Sequence, residues 1–299
     1  MIVVIGSSNT DMVMQVGEFP RPGETIMGCG FLQNQGGKGA NQAVACARLG
    51  AETCFVGKLG CDALAQNTIS LLRQEGIDVS QLTQTPDAPS GTAFIMVDSH
   101  GENSIIVNSG ANACLTESDI DAASSLIAKA SVVLMQLESP VRALTYAAHV
   151  AKQHGAIVVL NPAPAPSVVL PDELLKNVDV LVPNQTETER LSGIEVRDED
   201  TLLKAVNRLQ EMGVGRVVVT LGSRGAMTVA DGVPFWVSGE KIQAVDSTAA
   251  GDTFCGALCV RLSQGSSIED AIRFACKAAS LTVTRMGAQQ SIPYLSEIS

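Results

Sequence analysis

The sequence is poor in aromatic residues, which make up 3% of its 299 positions, and it has only three histidines. Its eight cysteines are scattered along the chain, and none of them forms a C-x-x-C pair. Zinc sites usually need closely spaced cysteines and histidines, so no zinc site is predicted. Several of the cysteines stand among alanine, valine and leucine, which is typical of reduced core thiols in a reducing compartment.

Basic residues and long hydrophobic runs are also scarce. The 20 basic and 31 acidic side chains give a net charge of −11, which argues against a nucleic-acid partner, because phosphates attract a basic surface. No apolar run approaches the roughly 18 to 20 residues that span a bilayer, so no membrane segment is predicted. The first residues, MIVVIGSSNTDMV, lack the basic region of a signal peptide and predict a buried strand. We therefore expect a cytoplasmic protein.

Two common nucleotide-binding motifs are missing. The sequence has neither G-x-x-x-x-G-K-[ST] nor G-x-G-x-x-G after a predicted strand. These absences argue against a P-loop nucleotide hydrolase and against a Rossmann dehydrogenase. Any site for phosphate chemistry must therefore be built from other segments.

Short apolar runs alternate with helical patterns along most of the chain. Continuous valine, isoleucine and leucine runs between helices indicate a mainly parallel sheet covered by helices on both faces. The strand candidates are 2–5, 54–56, 132–137, 157–160, 180–182 and 217–221. The helix candidates are 39–49, 62–75, 117–129, 140–153, 199–212, 251–263 and 268–284. The length alone allows one large domain or two ordinary ones.

Two segments, 11–35 and 90–108, break this alternation. They contain strand-like stretches without a helix between them, including Thr92 to Val97 and Ser104 to Val107 around the turn-rich SHGEN. We expect a small antiparallel sheet inserted into the α/β body. Such a sheet can close over a substrate as a flap, or it can serve as a dimer surface.

Two helix starts have recognisable capping patterns. Thr116 with Asp119 predicts a capping box, and Ser139 with Pro140 predicts an N-cap followed by proline at the first helical position. Because Ser139 would account for that helix start, we expect the neighbouring Glu138 to be free for a hydroxyl or a metal-bound water.

The segment DSTAAGDTFCGAL, residues 246–258, places Asp252 after small residues at a predicted helix start. The N–H groups of Ala250, Gly251 and Asp252 would lack intrahelical partners and, with the helix dipole, would form an anion site for a phosphate oxygen. An ionised Asp252 beside that phosphate would accept a proton from an attacking hydroxyl. A plain capped core helix is the alternative reading of the same residues.

Polar residues that suit a sugar follow two other predicted turns. GGKGANQ, residues 36–42, opens a helix with backbone free to approach a ligand, and Lys38 and Asn41 supply donors for hydroxyls. Asn9 and Asp11 follow the first strand, where ligands of parallel sheets gather, and they could clamp neighbouring hydroxyls. A flexible turn before the helix and a solvated Asx turn are the structural alternatives.

Two further turns suit a nucleotide. Asn184 and Glu187 are three residues apart after the strand 180–182, so they could jointly hold hydrated Mg²⁺ and phosphate, or simply form a capping box. The segment TLGSRG, residues 220–225, is a tight glycine turn that could wrap a nucleotide or enter a hairpin.

In their order along the chain, these motifs resemble the PfkB family of ribokinase-like sugar kinases. GGKGANQ at 36–42, PNQTE at 183–187, TLGSRG at 220–225 and DSTAAGDT at 246–253 match the family signatures. MQLESP at 135–140, NPAPA at 161–165 and VTRMGAQ at 283–289 extend the resemblance over nearly the whole chain. The resemblance implies a single domain over 1–299, with a Rossmann-like three-layer α/β/α fold, a mainly parallel central sheet and a β-sheet lid built from about 11–35 and 90–108.

The resemblance also implies an activity, the transfer of the γ-phosphate of ATP to the 5-hydroxyl of ribose. It makes Asp252 the base and the amides of Ala250, Gly251 and Asp252 the anion hole. The residues implied to hold the sugar are Asn9, Thr10, Asp11, Gly37, Lys38, Gly39, Ala40, Asn41, Glu138 and Asp252. Those implied for ATP are Asn184, Thr220, Leu221, Gly222, Ser223, Arg224, Gly225, Gly251, Asp252 and Cys276, with Glu187 organising Mg²⁺. Relatives often carry a histidine beside the adenine where this chain has Cys276.

The family further implies a monovalent cation, usually K⁺, and a homodimer formed through the lid. The implied cation loop contains Asp246, Thr248, Thr282, Arg285, Gly287 and Ser291. A related kinase for deoxyribose, another sugar or a nucleoside is the alternative function, although few aromatic residues near the lid disfavour a nucleoside base. A sugar sensor without catalysis is a further alternative, but a pure binder needs no base at Asp252.

Overall fold

The computed structural model describes residues 1–166, 168–230 and 232–298. Its strands occur in two separate sheets of nine and four strands. In chain order they are Ile2–Ile5 (β1), Asn9–Gln15 (β2), Gly30–Gly36 (β3), Thr53–Gly60 (β4), Leu82–Thr85 (β5), Gly91–Val97 (β6), Asn103–Asn108 (β7), Val132–Gln136 (β8), Ile157–Asn161 (β9), Val180–Leu181 (β10), Arg216–Thr220 (β11), Ala226–Ala230 (β12) and Val233–Val237 (β13).

The helices occupy the segments between the strands of the large sheet. They are Lys38–Arg48 (α1), Ala63–Gln74 (α2), Glu117–Ala122 (α3), Ser124–Ile127 (α4), Val141–Gln153 (α5), Asp172–Lys176 (α6), Gln185–Ser192 (α7), Glu199–Glu211 (α8), Ala250–Ser263 (α9) and Ile268–Thr282 (α10). Short 3₁₀ turns lie at Gly110–Cys114, Gly222–Arg224, Gln289–Ser291 and Leu295–Glu297. Among the described residues, no helix is both long and apolar enough to cross a membrane.

The large sheet has the strand order β13-β12-β11-β10-β9-β8-β1-β4-β5. The strands from β11 to β5 in that order run parallel, and β12 and β13 add an antiparallel edge. Successive side chains of a strand point to opposite faces. Ile2 and Val4 accordingly lie in the core under α1, α2, α9 and α10, whereas Val3 and Ile5 lie in the core under α3, α5, α6 and α8. The three-layer prediction is confirmed.

The small sheet has the order β3-β2-β6-β7 and is formed by the two segments that break the helical alternation. The prediction of a purely antiparallel sheet is wrong, because β2 pairs with β6 in parallel. The two outer pairs, β2 with β3 and β6 with β7, are antiparallel. The sequence could not reveal this direction, because β2 and β6 are far apart along the chain and several elements of the α/β body lie between them.

The helix starts are partly as predicted. Thr116 and Asp119 form the expected capping box at the start of α3. Ser139 is not an N-cap: Pro140 occupies that position with non-helical backbone, and α5 begins at Val141. The single helix predicted over 117–129 is divided into α3 and α4, because the backbone at Ala123 ends the first helix.

Candidate active site

A cavity of about 210 Å³ opens at the carboxyl ends of the central parallel strands. Asn161 ends β9, Thr220 ends β11, and Asn184 follows β10, so three neighbouring strands contribute to one wall. This is the edge at which open α/β sheets bind their ligands. The cavity is lined by Lys38, Asn161, Ala163, Val182, Asn184, Glu187, Thr220, Ser247, Ala249, Gly251, Asp252 and Cys255.

The amino end of α9 forms the wall opposite the strands. Ala249 precedes the helix with φ 60, the one positive φ outside glycine in the described chain. A left-handed alanine costs about 1 to 2 kcal/mol, so the fold maintains a strained turn at this point. The N–H groups of Gly251 and Asp252 have no acceptor among the described residues, whereas that of Ala250 contacts the Ser247 carbonyl at 3.3 Å. Two of the three predicted anion-hole amides are therefore free.

Asp252 lies in the first turn of α9 and is 8% exposed. Its carboxylate does not cap the helix, which excludes the plain capping interpretation. Oδ2 instead accepts a hydrogen bond from Asn41 Nδ2, and Oδ1 accepts one from Gln42 Nε2, both at 3.0 Å. Burial raises the pKa of Asp252, the charge of Lys38 and the two amides act against that rise, and the charge of Glu138 adds to it.

Lys38 is the cation of the cavity. Burial lowers the pKa of Lys38, but the charges of Asp252, Glu138 and Glu187 outweigh it and raise the pKa above its ordinary value. Its ammonium group stays protonated, and no described carboxylate lies within 4.0 Å of it. Lys38 is therefore available to pair with an anion that enters the cavity.

The predicted sugar residues come together between the start of α1 and the small sheet. An added Cβ on Gly37 would lie 2.7 Å from the backbone nitrogen of Asn9, and one on Gly39 would lie 2.6 Å from that of Ser7. These glycines therefore allow the α1 loop to lie directly against the end of β1. Glycine at 37 also permits the positive φ of 85 found there.

Glu138 and Asp11 are the two acids of this region. Glu138 was expected to be free, but its Oε2 accepts hydrogen bonds from Ser7 Oγ at 2.5 Å and from the Lys38 N–H at 3.0 Å. Burial and the charge of Glu138 raise the pKa of Asp11 to about 6. The two carboxylates are thus close enough to repel each other. A hydroxyl donor between them would relieve that repulsion.

Asn112 holds Asn9 in one orientation. This buried side chain accepts from the Ser8 N–H at 2.9 Å and donates to the Ser8 carbonyl at 3.1 Å and to Asn9 Oδ1 at 2.8 Å. Because Oδ1 of Asn9 is occupied, its Nδ2 remains as the donor for a ligand. Asn112 belongs to the 3₁₀ turn that follows β7, so it also connects the small sheet to the site.

Asn184 and Glu187 form a capping box at the start of α7. The Asn184 side chain accepts from the Glu187 N–H at 2.8 Å, and Glu187 Oε2 accepts from the Asn184 N–H at 2.8 Å. Both residues also line the cavity, so the structural and the ligand-binding interpretations apply together. Burial raises the pKa of Glu187, which the Asn184 N–H and Lys38 lower and Asp252 raises further.

The turn at 220–225 leads from β11 into the antiparallel β12, so it is also a hairpin entry. Thr220 lines the cavity, while Arg224 lies outside it and donates to Gln185 Oε1 at 2.7 Å. Cys276 lies on α10, is buried, and does not belong to the cavity lining. Burial and the charge of Glu240 raise the pKa of Cys276 to about 11.

The predicted cation loop is assembled around Asp246. Its Oδ1 accepts from the N–H and hydroxyl of Thr248, and its Oδ2 accepts from the Gly287 N–H at 2.9 Å. The side chains of Thr282 and Ser291 instead bond to Thr253 and to the Ala288 carbonyl. Arg285 pairs with Glu297. Groups of three or more histidine, cysteine, aspartate or glutamate side chains that could hold a metal are absent from the described chain.

Some residues of the site were not singled out from the sequence. Gln42 is fully buried against Asp252, and Asn112 orients Asn9. Gln42 stands inside the GGKGANQ motif and Asn161 opens NPAPA, so motif membership was their only sequence signal. The further cavity-lining residues that were not singled out are Ala163, Val182, Ser247, Ala249 and Cys255.

Comparison with known proteins agrees with this geometry. The family model described as pfkB family carbohydrate kinase matches residues 1–295. A ribokinase of Haemophilus influenzae is 43% identical over 296 residues, which are 99% of this chain and 96% of the relative. A deoxyribokinase of Salmonella typhimurium is 35% identical over 298 residues, which are 100% of this chain and 97% of the relative.

A solved structure of Arabidopsis thaliana ribokinase complexed with ribose and ATP superposes with a TM-score of 0.95 at 36% identity, covering 99% of this chain and 96% of that one. The backbone similarity therefore extends over the small sheet as well as the central layers. The chain belongs to the pfkB family of carbohydrate kinases.

Proposed function

We propose that the protein is an ATP-dependent kinase that phosphorylates the 5-hydroxyl of D-ribose and releases D-ribose 5-phosphate and ADP. The proposal depends chiefly on Asp252, which is buried beside two free backbone amides in the wall of a cavity that also contains Lys38. The full-length relatives named ribokinase support ribose as the sugar.

Sugar binding comes first in this proposal. Asn9 Nδ2 and the carboxylates of Asp11 and Glu138 would bind the ring hydroxyls, as donor and acceptors respectively. The remaining positions of the proposed sugar site are Thr10, Gly37, Lys38, Gly39, Ala40 and Asn41. The hydroxymethyl group of the sugar would then face Asp252, which is hydrogen-bonded to Asn41 of this set. A missing hydroxyl would leave a half-buried carboxylate without that donor, which penalises the wrong sugar.

Phosphoryl transfer would follow at the start of α9. The amides of Gly251 and Asp252 and the ammonium of Lys38 surround the position where negative charge develops on the transferred group. Donors fixed in advance around such a charge are worth several kcal/mol, because they need no reorganisation during the reaction. Asp252 accepts the proton of the sugar hydroxyl as that oxygen attacks the γ-phosphorus of ATP, and ADP leaves.

The nucleotide would lie along Asn184 and the turn Thr220 to Gly225. Glu187 Oε1 has no hydrogen-bond donor among the described residues and lies at the cavity, so an oxygen ligand is available for hydrated Mg²⁺. Mg²⁺ bound there would neutralise phosphate charge. Cys276 would contribute only indirectly to the adenine side, because it is buried on α10 outside the cavity.

A monovalent cation such as K⁺ fits the loop pair joined by Asp246. Asp246 contacts both Thr248 and the Gly287 N–H, so oxygen atoms of the two loops would surround the cation. Arg285, whose side chain only donates, would offer just its carbonyl oxygen. Bound there, the cation would stiffen the turn that leads into α9.

We further propose that the small sheet is the lid of the sugar site and the surface of a homodimer in the cytoplasm. Phe31, Phe94 and Ile106 are exposed by 55%, 51% and 64%. Phe94 pairs with Ile106 on the neighbouring strand β7. Phe31 pairs with Met14 of β2, whose side chain lies on the same face of the sheet as Phe94, so the three exposed side chains share one face. Such a cluster on one thin sheet is typical of an interaction surface.

Phosphorylation of 2-deoxyribose is the second candidate function, favoured by the deoxyribokinase relative at 35% identity. Both functions use the same base and the same nucleotide site. They differ in whether an acid such as Asp11 requires a partner hydroxyl on the sugar.

A substrate panel tests the proposal. The purified enzyme is incubated with ATP and Mg²⁺, with and without K⁺, and with D-ribose, 2-deoxyribose, hexoses or nucleosides, while ADP release and the phosphorylated position are measured. We expect the highest kcat/KM with D-ribose, a product phosphorylated at the 5-hydroxyl, and a higher rate with K⁺. A preference for 2-deoxyribose would move the function to the second candidate, and no ADP release with any sugar would leave a sensor.

A further inference from the structure

A continuous row of amide side chains, of which Gln42 and Gln136 are buried and Asn161 is half-buried, connects a backbone carbonyl to the catalytic carboxylate. Asn161 Nδ2 donates to the Val182 carbonyl at 2.8 Å. Gln42 Nε2 donates to Asn161 Oδ1 at 3.1 Å and to Asp252 Oδ1 at 3.0 Å. Gln136 Nε2 donates to Gln42 Oε1 at 2.7 Å.

The orientation of every amide in this row is determined by its neighbours. A backbone carbonyl can only accept, so Asn161 must turn Nδ2 toward Val182 and Oδ1 toward Gln42. Gln42 must then present Nε2 to Asn161, and the donation from Gln136 to its Oε1 requires the same orientation. If Gln42 were flipped, its Oε1 would face both the Asp252 carboxylate and Asn161 Oδ1, which leaves three acceptors without a donor.

Burying these polar amides would cost folding free energy if they served only to fill space. Gln42 and Gln136 are fully buried, and Gln136 Oε1 has no hydrogen-bond partner among the described residues. An apolar pair of similar volume would fill the same space without that unsatisfied acceptor. The arrangement therefore indicates a role for the one amide that reaches Asp252.

We propose that Gln42 is a positioning residue of the kinase reaction, which fixes the rotation of the Asp252 carboxylate and keeps its free lone pairs directed at the sugar hydroxyl. Asn41 holds Oδ2 from the adjacent position of α1. Gln136 and Asn161, at the ends of β8 and β9, hold Gln42 in turn. The base is thus positioned by the central sheet as well as by α9.

A second consequence is electrostatic. The two amides donate to the ionised form of Asp252, so they counteract the effect of burial on its pKa. The other titratable groups that face Asp252 come from four elements: Lys38 on α1, Glu138 after β8, Glu187 on α7 and Cys255 on α9. None of these is altered by a substitution at Gln42, so a change in the titration of Asp252 would report the lost donor.

Gln42→Met tests the proposal, because methionine keeps the unbranched shape and removes the donor. We expect kcat to fall about 10- to 100-fold, KM values for ribose and ATP to change less than about threefold, and the acidic limb of the pH–rate profile to move to higher pH. Gln136→Met removes only the group that orients Gln42, so we expect a smaller change in the same direction. Gln66→Met, an exposed glutamine on α2, is the matched control.

The inference uses the proposed kinase function, so one measurement is made without substrate. The carboxyl carbon of Asp252 is titrated by NMR in the free protein and assigned with Asp252→Asn. We expect a higher apparent pKa of Asp252 in Gln42→Met than in the wild type. An unchanged titration and an unmoved acidic limb would overturn the positioning role, even if kcat fell. If Gln42→Met does not fold, Gln136→Met decides by the same criteria, whereas a wild type inactive on every sugar contradicts only the proposed function.

Discussion

At the scale of single residues, the carboxylates of the site have different environments. Asp252 is deeply buried and receives two amide hydrogen bonds, whereas Asp11 is less buried and is affected mainly by desolvation and by Glu138. The first arrangement suits a base that must lie in one position. The second suits an acceptor that awaits a hydroxyl donor.

Asp11 gives a prediction about pH. Because its pKa in the folded protein is raised to about 6 from 3.8, the folded state binds more protons than the unfolded state between those values. The free energy of unfolding should therefore fall as the pH rises from about 4 to 6, and at pH 7 Asp11→Asn should be more stable than the wild type by as much as about 3 kcal/mol. Urea unfolding at several pH values measures this difference, and equal stability of the two proteins from pH 4 to 7 would contradict it.

Residue-level prediction from sequence succeeded where the local position in the chain determines where a side chain lies. Asp252, Lys38 and Asn184 were singled out because they follow strands or begin helices, and all three line the cavity. Gln42 and Asn112 were missed because their roles arise from partners about 100 to 210 positions away. No local pattern records such pairs.

At the scale of elements, the sequence predicted the core strands and most helices because continuous apolar runs and amphipathic periods are local properties. The pairing of β2 with β6 and the division of 117–129 into α3 and α4 were not predictable in this way. Both depend on how distant segments pack. The start of α5 was misjudged because Ser139 offers a capping side chain that the structure does not use.

Alanine substitutions of Gly39 and Gly251, the glycines at the starts of α1 and α9, should affect the stability of the protein differently. An added Cβ on Gly39 would lie within 2.8 Å of backbone atoms of Gly6 and Ser7, so Gly39→Ala should destabilise the protein by about 2 kcal/mol or more. An added Cβ on Gly251 meets nothing within 4 Å. Gly251→Ala should therefore keep or raise stability by up to about 1 kcal/mol, since alanine favours the helix.

Gly251→Ala should impair catalysis although it does not destabilise the protein. Gly251 lines the cavity, so the methyl group of Gly251→Ala enters the space proposed for phosphate, and kcat/KM for ATP should fall at least about tenfold. Thermal unfolding and ATP kinetics of both variants measure the two effects. Wild-type ATP kinetics in a stable Gly251→Ala would contradict the phosphate assignment.

At the scale of the whole molecule, α9 and α1, which pack on the large sheet, supply Asp252, the free amides and Lys38, and the small sheet extends from the start of α1 and the end of β1. The two sheets are connected through Asn112 and through the contact of Gln290 Nε2 with Asn34 Oδ1 at 3.1 Å. The second contact joins the proposed cation loop to β3. The small sheet is thus attached to both sides of the site.

The apolar face of the small sheet gives a prediction about assembly. Ile106→Asp, on the edge strand β7, places a charge on the face shared with Phe31 and Phe94, so it should convert the proposed dimer into a monomer. Val233→Asp, at an exposed valine on the distant edge strand β13, is the control and should leave the dimer intact. Light scattering after size-exclusion chromatography measures both masses. A wild-type monomer, or a dimeric Ile106→Asp, would contradict this interface.

The central claim is that Asp252 is the base of a sugar kinase rather than a structural acid of α9. The most direct measurement compares Asp252→Asn with the wild type in ribose binding by calorimetry and in ADP release with ATP and ribose. We expect ribose affinity within about threefold of the wild type and turnover lower by at least about 1,000-fold. Turnover within about tenfold of the wild type, with ribose still bound, would contradict the claim.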